Sequence, residues 1–335
     1  MAALREVIDR VRRGVADAAS RLRPPYPPVA LEVDRSEALI VRLRRPRRGK
    51  PVLEGHALRS LGVEAVPGSI FDVPGGALPE LTQRFRELFE ASGTRPGRAS
   101  VVLPDNVAKI SLLTLPERPA TNRQLDELVR ARMRRSVPFR LDEAALSYQL
   151  LPGEGRQISL LVLLARRAVV ERLEQALAPL GVRVGLIDIS TSNLLNLCRA
   201  RLDAASAGGR DAALLNCAPG YFSLVIVRGG RLIFFRCKSV GEEVTSANGN
   251  GVLAREMAGS LSYYREKLGG RGLTTLLVRS LIGSHEEIAR KLQQLELASV
   301  EPVRATDDLD SAAGLDPALA LRLAPALGAA LGRAH

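Results

Sequence analysis

The chain has 335 residues, 46% of them apolar and 25% charged, which excludes a disordered chain and suits roughly two globular domains. Its longest apolar run, residues 158–165 with Ser159 inside it, is far short of the ~20 residues of a membrane-spanning helix, and residues 1–23 lack the apolar core of a signal peptide, so a cytoplasmic location is expected. The formal net charge of +12 is uneven: residues 1–50 carry 13 basic and six acidic side chains, an excess that points to an acidic neighbour, either anionic lipid or protein.

In residues 4–22 the apolar side chains Leu4, Val7, Ile8, Val11, Val15, Ala18 and Leu22 recur with helical spacing, while Arg5, Arg10, Arg12, Arg13 and Arg21 take the other faces. This predicts a basic amphipathic helix, ended by the stiff spacer Pro24-Pro25-Tyr26-Pro27-Pro28, that packs on its own domain or lies on a membrane surface. Strands over 29–33 and 39–43 follow, around the turn Asp34-Arg35-Ser36-Glu37, so Glu32 and Asp34 read first as exposed carboxylates of a polar hairpin. Residues 78–89 form a helix with Leu81, Phe85, Leu88 and Phe89 on one face. A small alternating unit comes next, with strands over 100–103 and 109–115 and a helix over 121–135 whose Thr121 and Gln124 fit a capping box. Two strands over 145–151 and 158–165, joined by residues 152–155, and a helix over 168–180 closed by Gly181 complete it.

Three apolar runs, one ending before Asn216, one over 222–227 and one over 232–235, are separated by Pro219-Gly220 and Gly229-Gly230 and predict a meander of three strands. Gly208-Gly209 and Asn248-Gly249-Asn250-Gly251 do not follow a strand as a phosphate-binding P-loop does, and read as loops. Cys198, Cys217 and Cys237 stand in apolar surroundings without metal-ligand spacing and read as buried, reduced thiols; His56, His285 and His335 are scattered. Aromatic residues at 4%, no tryptophan and no basic stripe interleaved with aromatics argue against nucleic-acid binding.

Taken in order, Leu103-Pro104, Leu115-Pro116, Ser136-Val137-Pro138-Phe139, Ser147-Tyr148-Gln149-Leu150-Leu151, Leu163-Leu164-Ala165-Arg166 and Leu180-Gly181-Val182-Arg183-Val184 resemble the PilM family of type IV pilus assembly proteins, an FtsA-like branch of the actin-like ATPase superfamily. So do a strand and helix over 187–197, Phe235-Arg236 after the meander, a helix over 254–268 with Ser260-Leu261-Ser262-Tyr263-Tyr264, and the ending 321–332 with Ala324-Pro325-Ala326-Leu327-Gly328. The ordered set carries the likeness over about 300 residues. It implies an α/β, actin-like two-lobed fold: an appendage over 1–28, a first half over 29–98 and 183–207, an inserted small α/β subdomain over 99–182, and a second half over 208–335.

In the superfamily, one hairpin turn in each half cradles nucleotide phosphate through backbone N–H groups. Here the first turn keeps Glu32 near the metal position, but Asp34 puts a charge where glycine should admit phosphate. The second reads Asn216-Cys217-Ala218-Pro219-Gly220, and its proline has no N–H to give. The adenosine loop, usually a glycine pair after a strand, reads Leu276-Leu277-Val278-Arg279-Ser280-Leu281-Ile282-Gly283. With all three altered, the resemblance implies a pseudo-ATPase without catalytic residues, cofactor or metal, in which Glu32, Asp34, Ser36, Asn216, Gly220 and Ser223 are vestigial pocket positions. The alternative, an active ATPase, needs Glu32 or Asp211 to hold magnesium and Gly220 with Ser223 to hold the phosphate of ATP.

The resemblance further implies a cytoplasmic scaffold peripheral to the inner membrane. A groove between the first half and the insert would take the N-terminal cytoplasmic tail of a PilN-like bitopic membrane protein as an added strand, with the insert's strands and the helix over 121–135 as its walls. Other pilus platform proteins, pilus ATPases and a weak contact with anionic membrane are the further partners implied, and nucleic acid is not among them. A related type II secretion platform protein shares the fold but carries its own membrane span.

Overall fold

A computed structural model describes residues 26–151, 156–240, 250–292, 299–310 and 315–332. The helix predicted over 4–22 and the 152–155 connection lie outside the described residues. The chain opens with β1 (Val29–Val33), β2 (Glu37–Arg44), β3 (Val52–Ser60), α1 (Leu78–Ala91) and β4 (Arg98–Leu103). There follow β5 (Ala108–Leu115), α2 (Asn122–Met133), β6 (Ala144–Leu151) and β7 (Ile158–Arg166), then α3 (Arg167–Leu177), β8 (Arg183–Ile189) and α4 (Ser190–Ala205). The rest is β9 (Asp211–Ala218), β10 (Tyr221–Arg228), β11 (Arg231–Ser239), α5 (Asn250–Leu268), β12 (Leu273–Ser280), α6 (His285–Leu292), β13 (Val300–Pro302) and α7 (Pro317–Leu331).

The two halves repeat one topology. The first sheet has the order β3-β2-β1-β4-β8 and the second β11-β10-β9-β12-β13. In each, three strands form an antiparallel meander, a fourth joins its first strand in parallel, and a fifth joins the fourth in parallel. Parallel neighbours need long crossovers, and helices supply them: α1 leads from β3 to β4 and α5 from β11 to β12. The two sheets face each other across one shared core, into which α4 and α7 are packed. Outside it, α1 and α3 cover the far face of the first sheet, and α5 and α6 that of the second. Alternation along each strand makes this layering possible: Leu214 of β9 enters the shared core, while Ala213 and Leu215 face α5 and α6.

The insert is narrower than 99–182. Its own antiparallel sheet, β5-β7-β6, with α2 on one face, spans 108–166. β4 belongs to the first sheet, and Val169, Leu173 and Leu177 of α3 pack in that sheet's outer core. The Thr121–Gln124 capping box forms as expected, with both reciprocal bonds. The helix expected over 168–180 ends as α3 at Leu177 and continues as a 3₁₀ turn around Pro179, before Gly181 at φ 72°. Asn250-Gly251, expected in a loop, begins α5. Strands β3 and β13 and helix α6 carried no clear sequence signal: β3 is an edge strand whose side chains, Ala57 apart, are exposed or half-buried, and the other two are short. Cys198 and Cys217 are buried as expected, while Cys237 is half-buried. Among the described residues no helix is long and apolar enough to cross a membrane.

Candidate functional site: a filled cleft and an open groove

Period-two alternation decides which side chains meet at the seam between the halves. Ala30, Leu214, Val225 and Leu277 all face the shared core. Two residues from each, on the same face, stand Glu32, Asn216, Ser223 and Arg279. Four strands thus bring four polar side chains to one place.

Arg279 is the centre of what forms there. Its side chain is 1% exposed, and Nη1 donates to Asn216 Oδ1 at 2.9 Å while Nε donates to the Leu321 carbonyl at 2.8 Å. That carbonyl is the one whose partner four residues on, Pro325, has no N–H to offer it. Nη2 donates to the Arg322 carbonyl at 3.4 Å and lies 3.9 Å from Glu32 Oε1. Asn216 Nδ2 donates in turn to Thr191 Oγ1 at 2.9 Å. Asp105, fully buried after β4, accepts the Thr191 N–H at 2.9 Å together with the hydroxyls of Thr191 and Ser223. Residues of the second half are therefore bonded directly to residues of the first.

The buried carboxyls are held above their ordinary range. Burial pushes Glu32 up to about 7, opposed by the Arg279 guanidinium, and Oε2 of Glu32 has no hydrogen-bond partner. Burial also raises Asp105, against the Ser223 and Thr191 hydroxyls. At 14% side-chain exposure, Glu32 is not the exposed hairpin carboxylate first read from the sequence. Asp34 is half-buried, accepts the Arg35 N–H at 2.7 Å, and is raised chiefly by burial.

Of the other expected positions, Ser36 is exposed and contributes its carbonyl, at 2.7 Å from the Leu61 N–H. Gly220 holds the β9–β10 turn at φ 83°, beside Pro219. Asp211 is far from all of them, at the opposite end of β9 and about 17 Å from Asn216 by strand rise. It accepts two bonds from Arg228, at 2.7 and 2.8 Å, and the Tyr264 hydroxyl, so it is no candidate for a metal shared with Glu32. Among the described residues no group of three His, Cys, Asp or Glu side chains could hold a metal ion. Sequence reading missed the roles of Arg279, Asp105 and Thr191. A charged residue between Val278 and Ser280 in an apolar run was the available signal, because arginine is rarely buried unless paired.

The second feature is open. β8 ends the first sheet and β6 ends the insert's sheet, and both edge strands line a groove of about 760 Å³. Leu161 and Leu163 of β7 form its floor, Leu186 and Ile187 of β8 and Leu195 of α4 one wall, and Val227 and Leu232 of the second half its end. The helix expected as a wall is not one: Leu125, Val129 and Met133 of α2 pack with Leu160, Val162 and Leu164 on the opposite face of the insert sheet. An edge strand presents unpaired N–H and C=O groups, which an extended peptide can take up.

No protein-family model and no curated protein matches the sequence. Among solved structures, the fold is similar to a "PilM-PilN type IV pilus biogenesis complex" at 20% identity and TM-score 0.72, covering 93% of this chain and 98% of that one. The fold is actin-like, of the PilM form. A Bacteroides thetaiotaomicron protein with actin-like ATPase fold and unknown function matches at 10% identity and TM-score 0.50, covering 84% of this chain and 91% of that one. The cytoplasmic domain of EpsL, an inner-membrane component of the type II secretion system of Vibrio cholerae, has 10% identity and TM-score 0.47, covering 89% and 94%.

Proposed function

We propose that the chain is a cytoplasmic scaffold of a type IV pilus assembly platform, peripheral to the inner membrane, which binds the N-terminal tail of a PilN-like membrane protein and does not turn over nucleotide. The observation that carries this is the groove: two free sheet edges, β6 and β8, line one apolar channel between the insert and the first half. Backbone pairing gives such a site affinity for an extended segment, and pockets for alternate side chains give selectivity. The likeness to PilM in its complex with PilN supports the choice of partner.

Absence of turnover is supported by the seam. Magnesium at Glu32 would meet a guanidinium 3.9 Å from the same carboxylate, and Pro219 removes a donor from the phosphate turn. The seam residues therefore support a reading in which magnesium-ATP is not turned over. Other pilus platform proteins, pilus ATPases and anionic lipid are the further contacts of this reading.

Calorimetry of the full chain with a synthetic copy of the partner's N-terminal tail tests the groove. Ser147→Trp, exposed on β6 and paired with Leu163 on the groove face, is expected to weaken binding at least ~10-fold with the melting temperature kept. Undiminished binding places the site elsewhere. Millimolar magnesium-ATP is expected to leave the melting temperature unchanged, and a saturable rise overturns the nucleotide-free reading.

A further inference from the structure

The charged side chains lining the groove are Asp188 of β8 and Arg199 and Asp203 of α4. The last two satisfy each other: Arg199 Nε lies 2.8 Å from Asp203 Oδ2, and Arg199 Nη2 also donates to the Gly230 carbonyl at 3.1 Å. Asp188 has no such cation. Its carboxylate accepts the Ile189 N–H at 2.7 Å, and no lysine or arginine among the described residues pairs with it. Around it the groove is walled by Leu186, Ile187, Leu195, Leu161 and Leu163.

We propose that Asp188 is the specificity-determining residue of the groove, selecting an extended peptide that sets a lysine or arginine against it. The inference rests on the groove being a peptide site. A strand added at β6 or β8 turns alternate side chains inward. Leucine-like side chains answer the apolar walls in any register, whereas a single carboxylate answers a cation in one register only. Charge-assisted bonds in a partly desolvated groove are about twice as strong as neutral ones, so the pair fixes register as well as adding affinity.

The bare groove is poised for that cation. Burial, with the field of Asp105 added, pushes the Asp188 carboxyl up to about 7, against the Ile189 N–H. The other ionisable groups lining the groove are Tyr26, Tyr148 of β6 and the Arg199–Asp203 pair. None supplies a free positive charge, and an incoming ammonium or guanidinium would favour the ionised form.

Display of random decapeptides against the full chain tests this without assuming a partner sequence. Binders displaced by Ser147→Trp in the protein are expected to carry a lysine or arginine at one fixed position. Replacing that residue by glutamine should weaken binding to the wild-type chain ~10-fold, and to Asp188→Asn less than ~2-fold. Asp203→Asn should keep the preference. Affinity of the basic peptide should rise from pH 6 to pH 8 on the wild type and lose that slope on Asp188→Asn. Groove binders without a basic residue, or a glutamine replacement without effect on the wild type, overturn the assignment of Asp188 and leave the groove reading standing. Binders indifferent to Ser147→Trp, or none at all, overturn the groove reading and this inference with it. Because the decisive substitution is in the peptide, binding to the wild-type protein settles the question even where Asp188→Asn folds poorly.

Discussion

Arg279 donates to the carbonyl of Leu321, the carbonyl that Pro325 leaves without its helical partner. A proline inside α7 therefore has its remedy on β12, in a different layer, and the same guanidinium holds Asn216 and faces Glu32. Removing it strands the Leu321 carbonyl and Asn216 Oδ1 and takes away the charge that faces Glu32. Arg279→Ala should destabilise the protein by about 3–5 kcal/mol in urea unfolding, and Arg279→Lys should recover little, because an ammonium lacks the planar fork that reaches separate acceptors.

The same relationship predicts non-additivity. Pro325→Ala returns an N–H to the Leu321 carbonyl, so in the Arg279→Ala background it should offset part of the loss. A double-mutant cycle is expected to show a coupling of roughly 0.5–1.5 kcal/mol. Strict additivity of the two substitutions would mean that Arg279 does not serve that carbonyl.

Glu32 gives a pH prediction with a definite sign. Its carboxyl is raised from 4.5 to about 7 in the folded state, so the native protein holds a proton that the unfolded chain releases. The contribution is fully present below pH 4.5 and is lost as pH rises through 7, an amount of roughly 3 kcal/mol at most. The wild type should lose stability between pH 5 and pH 8 relative to Glu32→Gln, read from urea midpoints at the two pH values. Parallel midpoints would exclude it.

Gly328 marks the closest approach of α7 to α4. A Cβ there would stand 2.0 Å from the backbone carbonyl oxygen of Asn193, which cannot move aside as a side chain can. Gly328→Ala should therefore cost about 3 kcal/mol, although alanine is the better helix former by about 1 kcal/mol. A melting temperature at or above that of the wild type would show that the two helices separate freely.

Residues 1–24 carry six arginines against Glu6, Asp9 and Asp17, a net charge of +3. Basic residues near anionic lipid contribute about 1 kcal/mol each before screening, which assists a membrane contact without sufficing for one. Weak sedimentation with anionic liposomes is expected, reduced by salt and lost on deleting residues 1–24. Equal sedimentation of the shortened chain would place the lipid contact elsewhere.

The sequence by itself determined the elements whose signal is local. Apolar runs bounded by turn residues placed β1, β2 and the β9–β11 meander, helical spacing placed α1, α2 and α3, and the Thr121–Gln124 box fixed the start of α2. The ordered resemblance supplied the actin-like fold. Tertiary structure alone decided the rest, because each remaining feature joins residues far apart in the chain. β4 and α3 joined the first sheet through packing, which narrowed the insert. Glu32 and Asp34 looked like turn residues until β12 and α7 were laid beside them, and Asp211 looked like a cleft residue until the length of β9 carried it to the far end. Arg279 meets Asn216 across 63 residues of sequence, and β6 and β8 line one groove only because the insert folds back on the first half. Periodicity tells which face a side chain takes, but the partner on that face is set by how sheets stack.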